Sequence, residues 1–278
     1  MVSLKVVFDA LKEALKGVTE DYSFEAKEIV KSVFLVSNND IILNREITLS
    51  DEQKSTLEDI VSKRKSNYPL QYILGSWDFF GREFSVGEGV LIPRADTEVV
   101  VEKALEYLER INSPKVLDLC SGSGCIAITL KLEKKDALVT AVEKSEKAFS
   151  YLVENVKKLG ADVECIFSDA LELEMDENFD LVVSNPPYLT KEDMDSLQKE
   201  VSFEPRMALY GKEDGLFFYR ELTRIYKGRI KKGGALVYEI GDGQHESVAG
   251  ILSENGFQNI CKVKDYNGII RCVMGIKP

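Results

Sequence analysis

The residues from Lys115 to Ile128 restrict the possible folds of this chain more than any other stretch. Lys115-Val116-Leu117-Asp118-Leu119 has the short apolar run of a buried strand, Cys120-Ser121-Gly122-Ser123-Gly124 is a glycine-rich turn, and Cys125-Ile126-Ala127-Ile128 opens a helix. Such a turn lets a ligand approach the backbone, because glycine has no Cβ and the amides at a helix start can donate to it. The next apolar run, Ala137 to Val142, ends in Glu143. An acid at the tip of the second strand is where a ribose diol is bound in sheets of this kind. Further strands around Val163, Val182 and Leu236 lie between helical segments, and a terminal pair falls near Val263 and from Arg271 to Ile276. This alternation predicts an α/β fold with a doubly wound, mostly parallel sheet. Gly122 and Gly124 are not followed by a third glycine three residues on, so the dinucleotide spacing is missing.

A later strand end carries more specific chemistry. Leu181-Val182-Val183-Ser184 runs into Asn185-Pro186-Pro187-Tyr188. The Asn185 side-chain oxygen and the Pro186 carbonyl can accept both N–H bonds of an amide or exocyclic amine, while Tyr188 offers a flat face to the same group. Pro186 pushes Asn185 towards an extended backbone, and Pro187 does the same to Pro186, so the acceptors keep their aim. The plainer alternative is a Pro-Pro turn that ends a buried strand. A glycine turn, an acid and an amine cradle on three strand ends favour ligand binding, because open α/β sheets bind at the carboxyl ends of their strands.

On these motifs the chain resembles the class I S-adenosylmethionine-dependent methyltransferases of the amino-methylating group, with their Rossmann-like sheet. Three segments narrow the resemblance: Pro69-Leu70-Gln71-Tyr72-Ile73-Leu74-Gly75, Trp77-Asp78-Phe79-Phe80-Gly81 and Val90-Leu91-Ile92-Pro93-Arg94-Ala95-Asp96-Thr97-Glu98. They are similar to the segment joining the two domains of the peptide chain release factor glutamine methyltransferases, the HemK type. Glu204-Pro205, Asp214-Gly215-Leu216, Glu239-Ile240-Gly241 and the stretch from Asp265 to Arg271 match the same family in order. The resemblance covers nearly the whole chain from about Pro69 onward, and the first helices match only in character. It departs at Cys120, where the family has the first glycine of the cofactor turn. It departs again at Pro93-Arg94-Ala95-Asp96-Thr97-Glu98, where the family reads Pro-Arg-Pro-Glu-Thr-Glu. A cysteine does not take a positive φ cheaply.

The resemblance implies transfer of a methyl group to the side-chain amide nitrogen, N5, of the glutamine in the Gly-Gly-Gln loop of class 1 peptide chain release factors. Asn185, Pro186, Pro187 and Tyr188 would bind the acceptor amide, with Asn185, Pro186 and Tyr188 as the catalytic set. S-adenosyl-L-methionine would be held by Asp118, Cys120, Ser121, Gly122, Ser123, Gly124, Glu143, Asp169 and Asn185. Within that set, Glu143 takes the ribose hydroxyls, the glycine turn passes beneath the methionine end, and Asp118 fixes the turn. Asp169 either bonds the adenine amine or caps a helix. Tyr188 either packs on the amide or cofactor, or is a core aromatic at a strand end. No role for Arg94 or Glu204 follows from the sequence.

The 278 residues, 44% hydrophobic and 30% charged, suffice for one large domain and a small one, and are too apolar for disorder. Five cysteines, Cys120, Cys125, Cys165, Cys261 and Cys272, form no Cys-x-x-Cys pair, so no disulfide framework or metal site is expected and a reducing compartment is. Asp9 interrupts the first apolar stretch, and no run approaches the ~18 apolar residues of a membrane span, which makes the expected location cytoplasmic without membrane attachment. A net charge of −11 argues against stable nucleic-acid binding. His245, the single histidine, falls at a loop or helix start.

Leu4, Val7, Phe8, Leu11 and Leu15 recur at helical spacing, as do Ala26, Ile29, Val30, Val33 and Phe34, and Ser50 with Gln53 forms a capping-box signature. The expected organisation is a helical domain over residues 1–67, a β-hairpin linker over 68–93, and the methyltransferase domain over 94–278. The helical domain either recognises a protein substrate or stabilises the fold. Two rival functions remain. A DNA or RNA amino-methyltransferase would use the same cradle on adenine N6 or cytosine N4 but usually carries an electropositive surface. A silent cofactor-binding adaptor would be signalled by loss of Asn185, Tyr188 or Glu143, and all three are present.

Overall fold

The computed structural model describes residues 1–278. The chain divides into two compact units, one of Met1–Gly75 with Lys199–Phe203, the other of Ser76–Gln198 with Glu204–Pro278. The boundary thus falls at Gly75, inside the stretch expected as a linker. The short helix Leu70–Leu74 goes with the helical unit, and the hairpin Ser76–Phe79 with Arg82–Ser85 goes with the sheet. Phe80 and Gly81 turn that hairpin, both at positive φ, as a two-residue turn matched to strand twist requires.

In the helical unit, Leu4–Leu15, Tyr22–Phe34 and Asp51–Lys65 are the main helices. Leu4, Val7, Leu11 and Leu15 recur every three or four positions and are buried, as are Ala26, Ile29 and Val30, while Phe8, Val33 and Phe34 are half-buried. The predicted capping box is present: Gln53 N–H donates to Ser50 Oγ and Ser50 N–H donates to Gln53 Oε1, both at 3.1 Å. Arg64 is fully buried in this unit. Its Nε and Nη2 donate to the two Glu25 carboxylate oxygens at 2.7 Å, and further bonds reach the Tyr68 carbonyl and Glu200.

The second unit is built on seven strands: β1 (Lys115–Leu119), β2 (Leu138–Glu143), β3 (Val163–Phe167), β4 (Phe179–Ser184), β5 (Ile230–Glu239), β6 (Gln258–Lys264) and β7 (Ile270–Ile276). Their order is β6-β7-β5-β4-β1-β2-β3, with β1 to β5 parallel and β7 antiparallel to both neighbours. Chain order reverses at β1, which pairs with β2 on one side and β4 on the other. Along β4, Leu181 and Val183 face one buried layer and Val182 the opposite one, the period-2 alternation of a sheet covered on both faces, while Phe179, across a register shift from Leu181, joins Val182. Helices Glu98–Leu108, Cys125–Glu133 and Glu146–Leu159 contribute to the first layer, and Phe217–Tyr226 and His245–Glu254 to the second.

One connection departs from the expected alternation. Between β3 and β4 there is only a turn followed by irregular chain. Leu171, Leu173 and Met175 pack against the second layer at every other position, with Glu172 and Glu174 between them and Asp176 after them, so no helical stripe exists. No helix is long and apolar enough to cross a membrane.

Candidate active site

The parallel register brings the strand ends into one row. Val142, Leu119, Ser184 and Tyr238 are neighbours across β2, β1, β4 and β5, so the next residues, Glu143, Cys120, Asn185 and Glu239, stand at one carboxyl edge. A cavity of about 460 Å³ opens there, of the size that takes a small-molecule ligand. Its walls come from the loops after β1, β2, β3 and β4, from residues 89–97 and from residues 205–212.

The loop after β1 places Cys120 at φ +60, Gly122 at +56 and Gly124 at +82. Cys120 therefore takes the left-handed conformation that favours glycine. A Cβ on Gly124 would stand 2.5 Å from Leu152 Cδ1, so a glycine lets the helix Glu146–Leu159 pack against the turn, whereas a Cβ on Gly122 would meet open space. Ser121 pins the loop by donating to the Asp118 carbonyl at 3.0 Å and accepting from Val142 N–H at 3.1 Å. Ser123 Oγ is buried with no partner. Asp118, in β1, is fully buried and both its carboxylate oxygens lack a hydrogen bond, so burial pushes its carboxyl up to about 7. It lies outside the cavity wall.

Glu143 lines the cavity and organises two loops at once. Its Oε2 accepts from Gly122 N–H at 2.8 Å, and its Oε1 accepts from Lys144 and Ser145 N–H at 2.9 and 2.7 Å. Three of the four acceptor positions of the carboxylate are thereby engaged. Asp169 also lines the cavity, but caps no helix: its Oδ1 accepts from Leu171 N–H at 2.9 Å in an Asx turn, and its Oδ2 pairs with Lys144.

Asn185 lines the cavity, half-buried, with a side-chain amide that bonds to no protein group. Pro186 and Pro187 are buried, and Pro187 joins the wall. Tyr188 does not. Its ring packs on the second core layer, burial pushes its phenol up, and its carbonyl accepts from Gln244 Nε2 at 3.0 Å. A Cβ on Gly211 would meet Tyr188 Cα at 2.6 Å, and one on Gly215 would meet the Tyr188 carbonyl oxygen at 2.3 Å, so two glycines press against the cradle from behind. Of the residues expected from sequence, Cys120, Ser121, Gly122, Ser123, Glu143, Asp169, Asn185 and Pro187 meet at the cavity, while Asp118, Gly124, Pro186 and Tyr188 adjoin residues of its wall without lining it.

Sequence reasoning missed Arg206, Met207, Tyr210 and Lys212, which also line the cavity. Their stretch has no periodicity; the one signal was its position just after Glu204-Pro205. Arg94 belongs to the wall, and Glu204 braces it from a buried position by pairing with the guanidinium and accepting Ile92 N–H at 3.0 Å. No three His, Cys, Asp or Glu side chains are grouped to hold a metal ion.

Comparison with known proteins bears on this arrangement. The family described as PrmC N-terminal domain matches residues 7–75, and that described as Methyltransferase small domain matches residues 98–204. A release factor glutamine methyltransferase of Clostridium acetobutylicum is 37% identical over 97% of this chain and 98% of its own length. One from Geobacter sulfurreducens is 39% identical over 94% of this chain and 92% of its own. Among solved structures, the catalytic domain of hMettl16 in complex with an RNA hairpin aligns with a TM-score of 0.61 at 13% identity, covering 91% of each chain, a likeness of fold alone. The 16S rRNA N2 G1207 methyltransferase RsmC of T. thermophilus, in complex with AdoMet and guanosine, aligns at 0.54 and 19% over 73% of this chain and 50% of its own. With its methyltransferase sheet, its helical N-terminal unit and these relatives along nearly its full length, the chain belongs to the release factor glutamine methyltransferase family.

Proposed function

We propose that this chain methylates the side-chain amide nitrogen of a glutamine in a class 1 peptide chain release factor, in a Gly-Gly-Gln loop, using S-adenosylmethionine. The observation that carries the reading is the unpartnered Asn185 amide, facing a cavity that it shares with the glycine turn and Glu143. The cavity suits the cofactor on three counts. Gly122 leaves open space where a side chain would intrude, Ser123 Oγ is a buried hydroxyl without a partner, and Glu143 keeps one acceptor position for a ribose hydroxyl. Asp169, whose Oδ1 accepts from Leu171 N–H and whose Oδ2 pairs with Lys144, lines the same cavity and keeps lone pairs for one more donor. When bound, S-adenosylmethionine supplies a methyl group already activated by its positive sulfur.

The protein's task is orientation, because an amide nitrogen is a poor nucleophile whose lone pair is delocalised into its carbonyl. Asn185 Oδ1 and the Pro186 carbonyl accept the two N–H bonds of the glutamine amide and draw density onto the nitrogen. Fixing that nitrogen in line for attack removes on the order of 7–11 kcal/mol of a bimolecular barrier. Tyr188 acts here as a brace: its ring is anchored in the core and its carbonyl is tied to Gln244, which holds the strand end still. Arg94, paired with Glu204, closes another part of the wall against water.

The test uses labelled cofactor with three acceptors: a purified release factor, the same factor with its loop Gln changed to Glu, and duplex DNA. Label in the first alone is the expected result. Labelled DNA would favour a nucleic-acid amino-methyltransferase, and equal labelling of the Gln→Glu factor would move the modification to another residue.

A further inference from the structure

Two of the four cations in the cavity wall are already committed. Arg94 pairs with Glu204 and Lys144 with Asp169. The other two, Arg206 and Lys212, are exposed and form no ion pair and no side-chain hydrogen bond; both lie near one ring. The Arg206 guanidinium carbon stands 4.8 Å from the Tyr210 ring centroid, and Lys212 Nζ stands 5.9 Å from it. Stacking of this kind restrains a guanidinium while leaving its in-plane N–H donors free for an acceptor.

The ring is also registered to the cradle. Leu189 N–H donates to the Leu209 carbonyl at 2.9 Å and Gly211 N–H donates to the Leu189 carbonyl at 2.8 Å, so Tyr210 is bridged to the residue that follows Tyr188. Gly211 permits this approach, since any Cβ there would strike the Tyr188 backbone. A donor-rich platform is therefore held at fixed distance from the amide acceptors of Asn185, on the same cavity.

We propose that Arg206, held over Tyr210 and flanked by Lys212, recognises the bare backbone carbonyls of the peptide just before the acceptor glutamine and so selects loops in which glycines precede that glutamine. This rests on the acceptor proposed above. A glycine neighbour carries no side chain, so its carbonyl and flat peptide group can lie directly on the fork and ring. A larger neighbour would hold them off. A single strand of RNA would also suit a ring beside cations, but a chain of net charge −11 with two uncommitted cations at this rim favours the peptide.

The test measures methylation of an intact release factor by the wild-type chain and by Arg206→Ala, Arg206→Lys, Tyr210→Ala and Tyr210→Phe, with cofactor affinity measured in parallel. Arg206→Ala and Tyr210→Ala should raise KM for the factor about tenfold, as loss of an interface Arg or Tyr anchor does, with kcat and cofactor affinity held within about threefold. Arg206→Lys, which lacks the planar fork, should recover little of the loss, and Tyr210→Phe, which keeps the ring, should recover most of it. A factor whose loop glycines are changed to alanine should cost the wild type about tenfold and Arg206→Ala far less, because the contact is already gone. An unchanged KM, or discrimination between the loops that survives Arg206→Ala, would overturn the inference while leaving the acceptor intact. Weakened cofactor binding would overturn it by assigning the pair to the cofactor. Single-stranded RNA that competes with the factor on the wild type but not on Arg206→Ala would overturn it in favour of nucleic acid. Failure of the wild type to label the factor would overturn the acceptor itself, and this inference with it.

Discussion

Gly122 N–H donates to Glu143 Oε2 at 2.8 Å, joining the turn after β1 to the tip of β2 across the cavity edge. The acid expected to hold a ribose thus also holds the loop that would lie under the rest of the cofactor. Glu143→Ala removes the acceptor for three backbone N–H groups at once. We expect cofactor binding to weaken by at least 1–3 kcal/mol, roughly the cost of leaving buried polar groups unpaired. Calorimetry on the folded variant decides this, and an unchanged dissociation constant would contradict it.

The buried Asp118 makes stability depend on pH in a direction opposite to the usual carboxylate. Its carboxyl is pushed up to about 7 by burial, from 3.8 in the unfolded chain. Below the lower value both states hold the proton; between the two only the folded state does, so stability falls as pH rises through that window, by about 1.4 kcal/mol per unit for one group. Glu239, also pushed up to about 7 by burial, adds in the same direction. Asp118→Asn should therefore remove roughly half of the decline. Denaturant unfolding at pH 5, 6 and 7 measures it, and equal slopes in the two proteins would show that Asp118 is ionised when folded.

Glu25→Ala should destabilise the helical unit by about 1.5–3 kcal/mol, because it removes two charged hydrogen bonds from the buried Arg64 guanidinium and leaves it only Glu200 and the Tyr68 carbonyl. Unfolding followed by a probe placed in residues 1–75 reads this out. A loss below about 1 kcal/mol would mean that Arg64 finds water once its partner is gone.

Gly211→Ala tests the contact behind the cradle. Its new Cβ would overlap Tyr188 Cα, a backbone atom that cannot swing aside, so the strand end must shift. A displacement of that kind should cost about 10²-fold in turnover while cofactor affinity stays near normal. Normal turnover would show that the cradle tolerates movement.

Elements whose signal is local were legible from residues alone. The strands β1, β2 and β4, the turn at Gly122 and Gly124, and the Ser50 cap each depend on neighbours within a few positions. What escaped depends on distant contacts. Arg206 and Tyr210 reach the site through a bridge to Leu189, some twenty residues back, and nothing in their own spacing announces it. Tyr188 was open between a face for the ligand and a core aromatic, and the packing of its ring on the second layer follows from residues of other strands and helices. The link between β3 and β4 has no helix, and the alternation of Leu171, Leu173 and Met175 with acids is itself a local pattern against one. Cysteine resists positive φ, yet at Cys120 the bonds of Ser121 to Asp118 and Val142 hold the loop in that shape.

The central claim is that Asn185 orients the reacting nitrogen. Its most direct test is the single-turnover rate of Asn185→Ala with saturating cofactor and a purified release factor, beside a calorimetric measure of cofactor binding. The account predicts a fall in rate of about 10²-fold or more with cofactor affinity far less affected, as loss of a positioned catalytic contact requires. A near-normal rate would contradict it and return Asn185-Pro186-Pro187-Tyr188 to the role of a turn at the end of a strand.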